Sequence, residues 1–101
     1  MQRMPTRVLE SWRLLEDALS GRLLLIAVLN GTEHQRLATF IHGWDSGSHV
    51  VVSATGARYR LLSPAKRSQE LDLLEDEARV KTSIFVAIDV SQKLWAQDET
   101  L

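Results

Sequence analysis

Two imidazoles and a carboxylate crowd one short stretch of this chain: His42, Asp45 and His49 flank the turn sequence Asp45-Ser46-Gly47. Such a set suits zinc or another divalent ion, or proton transfer. The condition is that the segments on either side pair as strands with positions 42 and 49 on one face. A slip of one residue would separate them. A turn aspartate ordinarily caps its own turn and a histidine at a strand end is ordinarily solvated, so no metal and no other cofactor is assigned. His34, in the loop Thr32-Glu33-His34-Gln35, is expected on the surface.

Arg58-Tyr59-Arg60, followed by Lys66-Arg67, is the main basic feature. On a strand, Arg58 and Arg60 share one face and Tyr59 points to the other. Lys66 and Arg67 fall in the first turn of a predicted helix, where the helix dipole disfavours cations. Four cations near one end of a sheet could grip phosphates with salt-dependent affinity, or pair with the acidic helix that follows. The aromatics are not interleaved with the cations as they are in single-strand binders.

Tryptophans and carboxylates supply the other candidates. Trp12 lies on a predicted core stripe. Trp44 adjoins a turn and Trp95 lies near the C-terminus, where either could anchor a partner or a second subunit. Glu75-Asp76-Glu77 reads as a solvated helical strip and a polar contact surface. No catalytic residue is assigned. There is no cysteine, hence no thiol nucleophile, disulfide or thiolate metal site, and no Gly-x-Ser-x-Gly elbow. The five glycines stand singly at turns and form no phosphate loop.

These residues need a scaffold, and the hydrophobic pattern supplies one. Thr6 as N-cap and Val8, Trp12, Leu15 and Leu19 at spacings of four, three and four predict a helix over 7–20, with Gly21 at its positive-φ end. The apolar run over 22–29 predicts a strand closed by Asn30-Gly31, a hairpin dipeptide. Strands over 36–44, 49–54 and 57–62 follow, separated by Gly-containing turns. Segment 36–44 would also suit a helical face. Ser63-Pro64 starts a second helix over 64–80, with Leu71, Leu74 and Ala78 inward and Glu75/Arg79 and Glu77/Lys81 as i,i+4 pairs. Residues 84–88 predict a buried strand, and Ser91 caps a last short helical turn holding Leu94 and Trp95.

The expected fold is therefore α+β: a single domain over 1–101 in the order α-β-β-β-β-α-β. It has a mainly antiparallel four- or five-stranded sheet, two helices packed on one face, and flexible ends at 1–5 and 97–101. A helix followed by a meander with an Asn30-Gly31 turn resembles the order of Sm-like RNA-binding barrels. It departs from them in the long helix before the fifth strand, where those barrels have a short connection.

With 101 residues, 45% apolar and 25% charged, the composition is that of an ordinary globular domain. The net charge of -1 hides a division: residues 1–67 carry +4 and residues 68–101 carry -5. The longest apolar stretch, 23–29, is far short of the ~20 residues that span a bilayer, so a cytoplasmic protein without membrane contact, of bacterial type, is expected. The function expected is a non-enzymatic interaction or adaptor domain that contacts a protein partner through Trp44, Trp95, Glu75, Asp76 and Glu77, with homodimerisation. The alternative is a nucleic-acid-binding accessory protein using Arg58, Arg60, Lys66 and Arg67.

Overall fold

The computed structural model describes residues 6–29, 35–45, 48–62, 69–84 and 86–99. In chain order they form strands β1 (Arg7–Leu9), β2 (Ser11–Asp17), β3 (Leu23–Leu29), β4 (Gln35–Asp45), β5 (Val50–Ser53) and β6 (Arg58–Leu61), helix α1 (Gln69–Thr82), strand β7 (Ala87–Asp89) and helix α2 (Ser91–Glu99). The strands make one seven-stranded mixed sheet in the order β1-β6-β5-β4-β3-β2-β7.

The sheet curls because two segments serve both of its halves. Only Glu10 separates β1 from β2, yet β1 pairs with β6 while β2 pairs with β3 and β7. The eleven-residue β4 pairs with β3 through its first part and with β5 through its second, with a bulge between Ile41 and Gly43. A bulge bends its strand and sharpens the local twist. From β2 to β6 each neighbour reverses direction, so β6 runs the same way as β2 and its continuation β1. The β1–β6 pair is accordingly parallel and the sheet mixed. Two further bonds hold this seam: Leu62 N donates to the Leu9 carbonyl at 3.1 Å, and Trp12 Nε1 to the Leu62 carbonyl at 3.0 Å.

Curling produces two apolar clusters. Leu9, Trp12, Leu14, Leu25, Ala27, Val51, Tyr59 and Leu61 converge from both halves on the concave face. On the convex face of β2 and β3, Leu15, Leu24, Ile26 and Val28 lie under Leu71, Leu74 and Ala78 of α1. Strand β3 is thus buried on both sides, which is why 23–29 reads as an unbroken apolar run. Helix α2 belongs to the other cluster, to which it brings Leu94 and Trp95.

This architecture corrects the expected one. The sheet has seven mixed strands rather than four or five mainly antiparallel ones, and the two helices pack against different clusters rather than on one face. The expected helix over 7–20 is β1, β2 and the turn that follows. Its supposed inner face fails at both ends, since Val8 is 54% exposed and Leu19 87% exposed, while Leu9 and Leu14 are buried. With that helix the similarity of order to Sm-like barrels also falls. Gly21 does take positive φ, at 76°, but in the β2–β3 hairpin. Segment 36–44 is a strand. The strand expected at 84–88 is the three-residue edge β7, where Ile88 is exposed. Ser63, Pro64, Asn30 and Gly31 lie outside the described residues. No helix among the described residues is long and apolar enough to cross a membrane.

Candidate functional site

The convex face divides in two. Its β2–β3 half carries α1, whereas no described element packs on its β1–β6–β5 half. In β6 the pattern alternates as its sequence predicts: Tyr59 and Leu61 are buried, Arg58 and Arg60 exposed. Val8 and Val50 stand opposite Arg60 in the register, and Val52 opposite Arg58. Leu62, one residue beyond the strand and exposed, extends the row begun by Arg58 and Arg60. This half of the convex face, on which no described element packs, presents two guanidinium groups beside the exposed side chains Val8 and Leu62 and the buried Val50. A shallow groove of about 520 Å³ runs along it, lined by Thr6, Val8, Ser48, His49, Val50 and Arg60. Lys66 and Arg67, expected to join this patch, lie outside the described residues.

His49 connects this groove to the concave core. It holds a left-handed backbone conformation, φ 56°, which histidine tolerates better than most residues. Its ring stacks on Trp95, with centroids 3.7 Å apart and planes at 17°. Trp95 in turn lies 6.2 Å from Trp12, centroid to centroid. Trp95 and Trp44 are both half-buried and both pack against the concave cluster. His42 sits exposed at the β4 bulge, and the Asp45 side chain is outside the described set. Among the described residues no group of three metal-ligating side chains comes together.

The acidic strip is divided by the turns of α1. Glu75 faces the sheet, where Arg13 of β2 donates Nη1 hydrogen bonds to Glu75 Oε1 at 2.9 Å and Asp72 Oδ1 at 3.0 Å. Arg13 Nε also lies 3.6 Å from Asp89 Oδ2, and Arg79 donates to Glu75 Oε2 at 2.7 Å. Burial alone would lower the pKa of the Arg13 guanidinium. Its bonds to Glu75 and Asp72, and their charges, outweigh that and hold it above its ordinary value. Glu77 meets Arg36 of β4 at 3.3 Å, rather than the expected Lys81. Asp76 is exposed.

Sequence reasoning missed Val8 and Leu62 as surface groups and Arg13 as the centre of an ion-pair network. The signal for Arg13 was a lone cation inside Trp12-Arg13-Leu14-Leu15, which a strand with two covered faces explains and a solvated helix does not.

The fold defines a class: a small α+β domain with a curled mixed sheet and a helix over one half of its convex face. No family model, no curated protein and no solved structure matches the chain.

Proposed function

We propose that the protein is a non-enzymatic interaction module that binds an acidic, partly apolar protein surface on the open β1–β6–β5 face. One observation carries this reading: Arg58 and Arg60 are exposed on a sheet face over which no described helix packs, beside exposed Val8 and Leu62. Arginine between small apolar patches suits protein partners, because its planar group pairs with carboxylates while its stem covers apolar surface. A nucleic acid would gain less here. The one aromatic ring on β6, Tyr59, faces the core, so the strand offers bases no stacking platform. The half-buried Trp44 and Trp95 support the core beside the face, and Val8 and Leu62 act as its apolar anchors.

The test is fluorescence anisotropy with two probes, a labelled acidic amphipathic peptide unrelated to this chain and labelled single- and double-stranded oligonucleotides. The peptide is expected to bind, with affinity falling as salt rises. Arg58→Glu with Arg60→Glu is expected to weaken it about tenfold, equivalent to about 1.4 kcal/mol. Oligonucleotide binding without peptide binding, lost in the same variant, would replace this reading with the nucleic-acid one.

A further inference from the structure

The molecule carries a candidate for the acidic partner on its own surface. Helix α1 buries Leu71, Leu74 and Ala78 against the sheet, and its outward side is amphipathic in its own right. Glu70, Leu73, Asp76 and Val80 are all exposed, beside Glu77, which is paired with Arg36. At 100° per residue they lie within one solvent-facing stripe. Leu73 is 52% exposed and Val80 76%. Acidic groups therefore alternate with two apolar side chains along the stripe, the complement of Arg58 and Arg60 set beside Val8 and Leu62.

The two surfaces also agree in length. From Glu70 to Val80 the helix rises about 15 Å, and from Arg58 to Leu62 an extended chain covers about 13 Å. They cannot meet within one molecule, because α1 is fixed over β2 and β3 by Leu71, Leu74 and the Arg13 network, on the other half of the convex face. They are open to a second copy. Arg58 and Arg60 on one side, and Glu70 and Asp76 on the other, thus place opposite charge on two separate surfaces of the same fold.

We propose that the open face binds the outward stripe of α1 of a second copy of this chain, in a head-to-tail contact. This rests on the reading of that face as a protein-binding surface and names its partner. One helix laid on three short strands buries less than about 1,200 Å² in total, the range of weak and transient contacts. The association is therefore concentration-dependent and is weakened by salt.

Sedimentation velocity on the full chain tests this from about 10 μM to about 1 mM, in about 0.1 M and about 1 M salt. The wild type is expected to gain mass with concentration at the lower salt and to lose that gain at the higher. Arg58→Glu/Arg60→Glu and, separately, Glu70→Arg/Asp76→Arg are each expected to leave a monomer. Combining all four substitutions reverses both surfaces and is expected to restore association. Circular dichroism checks folding, and if either pair unfolds the chain, Leu73→Ser/Val80→Ser tests the same stripe without changing charge. A wild type that stays monomeric throughout overturns the proposal. So does association that survives both paired variants, or failure of a folded fourfold variant to restore it. If the unrelated acidic peptide still binds the open face while the chain stays monomeric, the self-contact falls and the interaction-module reading stands. If neither is seen, both fall.

Discussion

Arg13 holds three elements together, and replacing it with methionine should show how much that is worth. The side chain is only 11% exposed, wedged between the convex face of β2 and helix α1. Its two shortest contacts are charge-assisted, at 2.9 and 3.0 Å, and bonds of that kind contribute about 1.5–3 kcal/mol each. They do not count equally. Asp72 is 47% exposed and can rehydrate when its partner goes, so its contribution is nearer to that of a surface pair, about 0–1 kcal/mol. Glu75 is 17% exposed and keeps one partner in Arg79, which limits the penalty for stranding its charge. Methionine retains most of the apolar stem, so little packing is lost. The net cost is about 2–3 kcal/mol, and for a domain near 100 residues each kcal/mol moves Tm by about 4–8 °C. Thermal unfolding of Arg13→Met should therefore show a fall of about 10–20 °C. A double-mutant cycle with Glu75→Gln should give a coupling of at least 1 kcal/mol. A Tm within 3–4 °C of wild type, or additive behaviour in the cycle, would mean that the network contributes no more than scattered surface pairs and that α1 is held by its leucines alone.

Two further perturbations probe other parts of the fold. In the β2–β3 turn Asp17 accepts hydrogen bonds from the Ser20 hydroxyl at 2.7 Å and from Leu19 N at 3.0 Å, and these hold its pKa below the usual carboxylate value. A carboxylate lowered by folding stabilises the native state above its unfolded pKa, near 3.9, and that contribution is lost as pH falls through the folded value. Urea midpoints for Asp17→Asn should thus lie below wild type at pH 7 and converge on it below pH 4; a constant difference at every pH would refute the assignment. Leu25→Ala and Ile26→Ala, adjacent residues on opposite faces of β3, should each cost about 2–5 kcal/mol by chemical denaturation, because each leaves a cavity in a different buried cluster. If one were nearly neutral, β3 would be covered on one side only.

That two-sided burial decides how much of the fold was legible. Strands β3, β5 and β6 could be read from their turns and hydrophobic pattern, and in β6 the exposed Arg58 and Arg60 follow directly from alternation. The N-terminal segment could not be read in the same way. In 11–17, Trp12 and Leu14 point to the concave face while Arg13 and Leu15 point under α1, so both parities are buried and the period of two is erased. What remains, Val8, Trp12, Leu15 and Leu19, happens to match helical spacing although its outer members are exposed. Local pattern reports whether a face is covered, and here the covering came from α1, more than fifty residues away.

The two halves of the convex face differ in what their residues require. A curled sheet has to bury its concave side, and this one does so with residues from β1, β2, β3, β5 and β6. Its convex side needs a cover only where it is apolar. Over β2 and β3 it is apolar, and α1 supplies Leu71, Leu74 and Ala78 to meet it, with Arg13 satisfied beneath by Asp72 and Glu75. Over β1, β6 and β5 that face sets Val8, Val50 and Val52 beside Arg58 and Arg60, a more polar composition than the half under α1. The partner proposed above, acidic and partly apolar, would complement that mixture, and α1 carries Glu70, Leu73, Asp76 and Val80 on its outward side.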